Sequence, residues 1–307
     1  MVKKLLKIVS VLLFLALCIA GIFFYSIFIS VERLNVQYET ISSTKIPADL
    51  NDVKIGYISD LEYHHFMDKE RLTKMIETIN DARPDVLLFG GDIFYSPLTN
   101  VPDEAVKQEL ITLLKSIEAP LGKFAVYGEQ DHEDEATYTM VNDILYKSDF
   151  EVINNTSIRI RNSTNESITL IGLDAMVGGT IDIANAFANV NEEAFNILAM
   201  HCPDTILLTD IPKEKLDLVF AGHTHASQIY LPFLGPLSTM QGAEHYNHGK
   251  YNLDGYILHV ANGLGTTEID MRLFSPPQML VYRLQHVAQQ VLPAPSEENP
   301  ESQNSSQ

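Results

Sequence analysis

The sequence predicts an α/β fold that follows an N-terminal helix long enough to span a membrane. Short apolar runs alternate with segments whose apolar residues recur at helical spacing, which is typical of strands alternating with helices. Five of the apolar runs end directly in residues that can bind a metal ion. A separate apolar run at residues 8–29 precedes all of them, and it is too long for a strand.

The composition excludes two classes of protein. The chain has 307 residues and a formal net charge of -19, so we expect no nucleic-acid-binding surface, which should be basic. Its two cysteines are Cys18 and Cys202, and Cys18 lies in the apolar leader, which excludes a disulfide framework. With 46% hydrophobic residues, the chain can bury a substantial core.

The apolar leader is interpreted as a retained membrane anchor at residues 1–30. Its twenty-odd apolar residues, rising about 1.5 Å each, can cross a hydrocarbon core of about 30 Å. Bulky residues occupy its end, where a signal peptide would carry small ones; a cleaved signal peptide is the alternative and leaves the same compartment. Three lysines precede it, at positions 3, 4 and 7. The positive-inside rule then predicts a single-pass protein of the cell membrane, with a cytoplasmic N-terminus and the rest extracytoplasmic.

The remaining elements follow in order. Residues 31–52 are polar and mixed, and we interpret them as a linker, either a stalk or a first edge strand. One domain at residues 53–286 follows, with strands predicted at 53–59, 86–89, 123–127, 195–200, 216–220, 228–231, 256–260 and 278–284. Helices are predicted at 68–82, 104–117 and 135–147. Alternation at residues 150–173 indicates antiparallel strands, so the second half is expected to be more antiparallel. Residues 287–307 are too polar to pack and are expected to be disordered.

The polar residues at the strand ends predict a metal site. They are Asp60, Glu62, Asp92, Glu129, His201, His223 and His225. Carboxyl ends of strands gather at one edge of an α/β sheet, which is where such folds place their sites. Carboxylates and imidazoles without a thiolate suit manganese, iron or zinc, and two ions can share a carboxylate. A single aspartate at a strand end usually caps a helix or turn, but five such ends in register are hard to explain that way.

This order of residues resembles the calcineurin-like metallophosphoesterase superfamily, whose pattern reads D-x-H, G-D, G-N-H-D/E, H and G-H-x-H. The resemblance covers roughly residues 53–285. Together with the anchor, the segments at 228–232, 262–267 and 271–277 are similar to the membrane-associated YkuE/YaeI-like branch. This resemblance implies a four-layer α/β/β/α sandwich fold and an enzyme that hydrolyses a phosphodiester or pyrophosphate bond. A lipid-linked or envelope-derived phosphate ester is the candidate substrate, and the lipid bilayer is the second partner.

The resemblance also implies roles for five of the residues. Asp92 would bridge two divalent metal ions. Asp60 and His225 would bind the first ion, and His201 and His223 would bind the second.

Three positions depart from the superfamily pattern. Glu62 stands where histidine is expected and Glu129 where asparagine is expected, but both remain oxygen ligands. Their added negative charge favours manganese over zinc, with zinc or iron as alternatives. Gln130 stands where the family has the histidine that protonates the leaving oxygen, and an amide can donate a hydrogen bond but not a proton. His132, two residues further on, is the candidate to replace it; its other interpretation is an exposed loop histidine.

Two functions are compatible with the sequence. One is a membrane-anchored extracytoplasmic phosphoesterase, in which two ions prepare a water for in-line attack on phosphorus. The other is a catalytically weak or inactive relative that keeps the fold for binding or scaffolding in the cell envelope. Turnover of a generic phosphodiester separates the two.

Overall fold

The structure of the protein is a computed structural model that describes residues 2–288. The predicted disorder of residues 287–307 therefore falls almost wholly outside the described residues. The N-terminal helix α1 (Val2–Phe28) begins with three lysines and is apolar from Ile8 onward, with a mean hydropathy of 2.7 in its most apolar window. Its length and composition suit either a membrane span or a signal sequence.

Four further helices follow, each beginning after an aspartate. They are α2 (Lys69–Ala82), α3 (Glu104–Lys115), α4 (Glu135–Lys147) and the short α5 (Ile183–Phe187). In every case the aspartate side chain accepts a hydrogen bond from the main-chain N–H three residues on. This contact satisfies one of the N–H groups that a helix leaves without a partner at its start.

Fourteen strands make up the sheets of the described chain. They are β1 (Asn35–Ser43), β2 (Lys54–Ile58), β3 (Val86–Phe89), β4 (Lys123–Ala125), β5 (Phe150–Val152), β6 (Thr156–Ile160), β7 (Ile168–Gly172), β8 (Asn196–Ala199), β9 (Leu218–Ala221), β10 (Tyr230–Leu231), β11 (Gly235–Pro236), β12 (Gly249–Asn252), β13 (Ile257–Val260) and β14 (Gln278–His286).

Twelve of these strands form two six-stranded sheets. The first has the order β1-β14-β2-β3-β4-β5 and the second β12-β13-β9-β8-β7-β6, while β10 and β11 pair as a separate hairpin. In the first sheet β2, β3, β4 and β5 run parallel, and in the second β7, β8, β9 and β13 do. The carboxyl ends of these strands therefore lie along one edge of each sheet.

The two sheets pack face to face, and alternation along the strands decides which side chains meet. Tyr57 of β2 stacks on Phe220 of β9, with ring centroids 5.0 Å apart. Their neighbours Ile58 and Val219 point the opposite way, into the clusters that cover the outer faces. Helices α2, α3 and α4 cover the first sheet, and α5 with adjacent loops covers the second. The predicted α/β/β/α sandwich is confirmed, with a thin fourth layer.

Two expectations about individual segments can be compared with the structure. Residues 31–52, predicted as a linker with an edge strand as one form, contribute β1 to the first sheet, where it pairs in parallel with β14 over its whole length. Ile46 and Leu50 are also buried in the core between the sheets, so this segment packs as part of the domain. The second half is more antiparallel than the first, as expected, because β6 with β7, β10 with β11 and β12 with β13 form antiparallel pairs. Its central strands β7, β8 and β9 pair in parallel and are buried on both faces.

Candidate metal centre

The candidate metal centre lies where the carboxyl ends of strands from both sheets meet. The first sheet supplies four acidic side chains, which follow β2, β3 and β4: Asp60, Glu62, Asp92 and Glu129. The second sheet supplies three imidazoles, which follow β8 and β9: His201, His223 and His225. Each sheet therefore contributes one kind of ligand, and the site is complete only when the sheets pack together.

The seven side chains form three overlapping groups in which the potential ligand atoms lie within 4.8 Å of one another. One group is Asp60, Glu62 and His225; the second is Glu129, His201 and His223; the third is Asp60, Asp92 and His201. The third group shares one member with each of the others and so joins them. The structure thus brings together every residue for which the sequence predicts a metal-binding role.

His201 lies at the middle of this arrangement. Its Nε2 is 2.8 Å from Oε2 of Glu129 and 3.3 Å from Oδ2 of Asp92. The same atom lies 3.9 Å from Oδ1 of Asp60. The other ring nitrogen, Nδ1, is 2.7 Å from the carbonyl oxygen of Gly90. A proton on Nδ1 that is donated to this carbonyl leaves Nε2 free to act as a metal ligand.

One of the other two histidines, His223, is oriented in a similar way by a carbonyl. Nε2 of His223 lies 2.8 Å from the carbonyl oxygen of Gln241, while its Nδ1 is 2.9 Å from Oε1 of Glu129. His225 is fully buried, and its Nε2 is 3.3 Å from Oε1 of Glu62. The imidazoles and carboxylates therefore face one another at distances that ligands of a shared ion adopt.

The backbone around the centre is strained. Five of the seven residues have φ between 47° and 70°, in the left-handed region: Asp60, Glu62, Asp92, His223 and His225. Non-glycine residues occupy this region infrequently, and such strain persists where the surrounding structure holds a functional geometry. Tight packing supplies that restraint, since a Cβ on Gly128 would collide with the carboxylate of Asp92.

The chemistry of the buried groups fits divalent cations. Among the described residues, Oδ2 of Asp60 is a buried carboxylate oxygen without a hydrogen-bond partner. Burial raises the pKa of Glu62 well above its usual range, and the carboxylates of Asp92 and Asp60 raise it further. Burial, followed by the charge of Glu129, raises the pKa of Asp92 to about 7. A cluster of buried carboxylates with this much mutual repulsion is stabilised when cations neutralise it.

Gln130 joins the cluster through its side-chain amide. Its Nε2 donates to both carboxylate oxygens of Glu62, at 3.0 and 3.1 Å, and its Oε1 accepts from the main-chain N–H of Ser96. Its main-chain N–H donates to Oδ1 of Asp92 at 3.0 Å. Gln130, which occupies the position of the family's catalytic histidine, therefore contacts the metal centre directly.

His132, the other candidate for catalysis, lies apart from the seven clustered residues. Its Nε2 is 2.6 Å from Oδ1 of Asp174, and its ring stacks on Tyr138 at 5.3 Å between centroids. It lines a different cavity, of about 290 Å³, together with Asp134 and Asn154. The structure thus keeps the candidate His132 away from the centre, because Asp174 holds its imidazole elsewhere. With a side-chain exposure of 13%, His132 is not an exposed loop histidine either.

Comparison with known proteins agrees with this geometry. Residues 53–227 match the family described as calcineurin-like phosphoesterase. The metallophosphoesterase YkuE of Bacillus subtilis is 31% identical over 270 residues, which cover 88% of this chain and 92% of that protein. The chain belongs to the calcineurin-like metallophosphoesterases. Their characteristic reaction is the hydrolysis of phosphoesters.

Two other relatives extend the comparison. A metallophosphoesterase of Aquifex aeolicus is 28% identical over 263 residues, covering 81% of this chain and 90% of that protein. The protein LpxG of Chlamydia trachomatis, named a UDP-2,3-diacylglucosamine pyrophosphatase, is 27% identical over 291 residues, covering 77% of this chain and 84% of that protein. The predicted resemblance to this branch of the metallophosphoesterases is confirmed.

Sequence analysis gave no role to two residues that position the metallophosphoesterase site. Asp131 is buried, and its carboxylate accepts from the main-chain N–H groups of Asp92, Ile93 and Gly128 at 2.9 to 3.1 Å. It therefore ties the loop after β3 to the loop after β4. Its place as the fourth residue of a Gly-x-x-Asp segment was the available signal. Arg272 is fully buried, and its guanidinium donates to main-chain carbonyls around the site.

A cleft of about 550 Å³ opens beside the metallophosphoesterase centre. Asp92, Glu129, Gln130 and His225 line its floor, so a bound molecule can reach the clustered ligands. Apolar side chains line another part of it: Ile229, Leu237, Met240 and Ile269. The cleft therefore offers both a polar floor for a phosphate group and an apolar wall.

Proposed function

We propose that the protein is a membrane-anchored, extracytoplasmic phosphoesterase that uses two divalent ions, with manganese preferred, to hydrolyse a phosphodiester or pyrophosphate bond. The observation that carries the proposal is the meeting of seven acidic and imidazole side chains from five strand ends. A lipid-linked or envelope-derived substrate is supported by the apolar helix α1, the apolar wall of the cleft and the relative named as a diacylglucosamine nucleotide pyrophosphatase.

The residues divide into two ligand sets. Asp60, Glu62 and His225 would hold one ion, and Glu129, His201 and His223 the other, with Asp92 between the sets. Bound ions would supply Lewis-acid stabilisation of the phosphoryl oxygens and lower the pKa of a water nucleophile. Oxygen ligands outnumber imidazoles, and the donor set has no thiolate, which supports the preference for manganese over softer ions.

The chain's own groups complete the site in three ways. The amide of Gln130 lies on the floor of the cleft and can donate a hydrogen bond to a phosphoryl oxygen. The carbonyl partners of His201 and His223 fix the imidazole tautomers, so no reorganisation is needed when substrate binds. Asp131 holds two of the ligand loops at a fixed separation.

One observation favours the alternative, a catalytically weak or inactive relative with a binding or scaffolding role. The side chain at position 130 is an amide that already donates to Glu62, and an amide cannot deliver a proton to a leaving oxygen. With His132 held by Asp174, proton delivery would then depend on solvent in the cleft. Substrates with good leaving groups need no such delivery.

The test uses the full-length protein purified in detergent, with metal content and turnover of an aryl phosphodiester measured together. Manganese, zinc and iron are supplied in turn, and we expect manganese to support the highest rate. Asp92→Asn should abolish turnover and lower bound metal, whereas Asp134→Asn, at the exposed start of α4, should leave both unchanged. Bound metal without turnover of any diester would establish the binding role. Absence of bound metal in every condition would refute both.

The proposed topology needs its own experiment. A protease added to intact cells stripped of their wall should digest the domain while leaving a cytoplasmic reporter fused to Met1 intact. Complete protection of the domain in permeabilisation-controlled cells would overturn the extracytoplasmic placement.

A further inference from the structure

A hairpin built almost entirely of apolar residues lies beside the carboxyl end of α1. This apolar hairpin comprises residues 229–237, with the sequence Ile-Tyr-Leu-Pro-Phe-Leu-Gly-Pro-Leu. Strands β10 and β11 pair antiparallel within it, and the N–H of Leu237 donates to the carbonyl of Ile229 at 3.1 Å to close its base. The hairpin is therefore an ordered projection with a defined tip.

The apolar hairpin presents large side chains to the outside. Phe233 is fully exposed, Leu234 is 81% exposed and Leu237 is 66% exposed. Single exposed apolar residues are ordinary, but a contiguous group of this kind marks a contact with a membrane or a partner. Phe233 also has φ of 69°, a strained conformation for a bulky residue, and this strain accompanies its full exposure.

The sequence around the hairpin lacks charge. Residues 226–243 contain no aspartate, glutamate, lysine or arginine, in a chain whose formal net charge is -19. A loop that faces water in so acidic a protein has no reason to avoid charge over eighteen residues. A loop that enters an apolar medium does, because charged side chains are costly there.

A shared cavity places the base of the hairpin beside α1, and a main-chain hydrogen bond to Leu273, which also lines that cavity, holds it there. Ile229, at its base, shares a cavity of about 220 Å³ with Ile22 and Phe23 of α1. The N–H of Tyr230 donates to the carbonyl of Leu273 at 3.0 Å. Ile22 lies six residues before the end of α1, or about 9 Å along its axis. If α1 crosses a bilayer, the hairpin lies at the level where the helix leaves it.

We propose that the apolar hairpin inserts into the same bilayer leaflet from which α1 emerges, and so forms a second, independent membrane contact. The partner is the lipid surface itself, with Phe233 and Leu234 at the depth of the headgroups and the first acyl carbons. The proposal rests on the anchoring role of α1 proposed above. The hairpin contact adds to that anchoring role, because a helix alone would leave the domain free to tilt and rotate above the membrane.

A consequence concerns the cleft beside the metal centre. Ile229 and Leu237 line that cleft as well as belonging to the hairpin. With the hairpin in the leaflet, the apolar wall of the cleft is continuous with the lipid surface. A phosphate ester attached to acyl chains can then reach the metal ligands without leaving the membrane completely.

The experiment measures the depth of single fluorescent probes on the full-length protein in vesicles of phosphatidylcholine and phosphatidylglycerol. An environment-sensitive fluorophore is attached at Leu234→Cys in a Cys18→Ser background, since the native Cys202 is buried. Lipids carry a spin-label quencher either near the headgroup or near the acyl terminus. Interfacial apolar groups lie about 5–10 Å deep, so the shallow quencher should remove about half of the emission or more and the deep one less.

Four further samples make the result specific. A probe at native Cys18 reports α1 and should be quenched most by the deep quencher. A probe at Ser163→Cys, in the β6–β7 turn at the opposite edge of the sheet, should be unaffected. Adding Phe233→Ser to the Leu234→Cys protein should reduce quenching, whereas adding Tyr146→Ser, which removes an exposed aromatic residue from α4, should not.

The outcomes distinguish the two membrane contacts. Quenching at Cys18 without quenching at position 234 overturns the hairpin proposal and leaves the anchor intact. Quenching at position 234 without quenching at Cys18 supports the hairpin and refutes the anchor. A probe at position 234 whose emission is shifted to the blue but which neither quencher affects would show that another protein surface covers the hairpin, and this also overturns the proposal.

Discussion

The main-chain N–H of Arg272 donates a 3.0 Å hydrogen bond to the carbonyl oxygen of Ser26, close to the end of α1. The side chain of the same arginine is fully buried and donates to the carbonyls of Asn262 and Ser275, each at 2.9 Å. It also contacts the carbonyl of His225 at 3.5 Å. One residue therefore connects the apolar helix to a loop that carries a metal-ligand candidate.

The first prediction concerns this buried arginine. Arg272→Lys should lower the unfolding free energy by at least about 2 kcal/mol, because one ammonium group cannot reach the carbonyls that the guanidinium fork satisfies. The affinity for manganese should fall as well, since the loop carrying His225 loses its support. Thermal unfolding and metal titration of the full-length protein in detergent measure the two effects.

The matched control is Arg283→Lys. Arg283 is exposed and pairs with the exposed Asp52 at 3.2 Å, a contact that contributes less than about 1 kcal/mol. An Arg272→Lys protein as stable and as metal-avid as this control would show that Arg272 does not position the site.

A second prediction tests the metal centre through stability. An ion that binds only the folded protein stabilises it by about 2.7 kcal/mol when present at a hundred times its dissociation constant. Added manganese should therefore raise the melting temperature. Asp92→Asn should remove most of that rise, whereas Asp103→Asn, at the exposed start of α3, should keep it. An identical rise in both variants would mean that the ion binds elsewhere.

The sequence contained enough information to find the ligand candidates but not the residues that hold them. Asp60 and His201 could be predicted because each follows a buried strand, and parallel strands end at the same edge of a sheet. Asp131 and Arg272 act on main-chain groups that are distant in sequence, so their partners depend on how the loops fold. No periodicity in the chain records such contacts.

The same limit explains why the sequence left residues 31–52 open between a stalk and an edge strand. The pairing of β1 with β14 joins residues that are more than two hundred positions apart, such as Asn35 and Gln278. The burial of β1 alternates between exposed and partly buried positions, as expected for an edge strand. A polar edge strand has the composition of a linker, and only its partner distinguishes the two.

A third prediction follows from the pair formed by His132 and Asp174. The hydrogen bond to Asp174 raises the pKa of His132. Burial alone would raise the pKa of Asp174. The hydrogen bonds from His132 and from the N–H of Thr180 have the larger combined effect, so the pKa of Asp174 is lowered. The contribution of His132 to the stability of the folded protein is fully present below about pH 6.5 and is lost as the pH rises through its raised pKa. That of the aspartate is present above about pH 3.9 and is lost as the pH falls through its lowered pKa.

His132→Phe should therefore destabilise the protein more at about pH 5.5 than at about pH 9, because the ion pair is complete only at the lower value. Melting temperatures of the two proteins across this range measure the difference. Turnover should persist in the variant, since His132 lines a separate cavity. Loss of turnover with unchanged melting would instead support the catalytic role that the sequence predicted for His132.

The last prediction concerns Glu62 and Gln130, two positions at which this chain departs from the superfamily pattern. The departures touch each other, because the Gln130 amide donates to both oxygens of the Glu62 carboxylate. Residues in direct contact have interaction energies of about 0.5–3 kcal/mol, so the effects of Glu62→His and Gln130→His should not add. Gln130→His alone should raise the rate on an alkyl diester about ten-fold if proton transfer has its typical value, and the rate on an aryl diester less.

The double variant shows whether the residues at positions 62 and 130 act together or independently. If the two residues changed together, Glu62→His with Gln130→His should exceed the sum of the single effects in kcat/KM on the alkyl diester. Gln108→His is the matched control, because Gln108 donates to Glu104 in an exposed pair on α3 and should leave both rates unchanged. Single effects that add to within about 0.5 kcal/mol would refute the coupling. A double variant that binds manganese but gains no rate on either ester would show that the missing histidines do not limit turnover. The cause of low activity would then lie elsewhere in the protein, which would support the binding role.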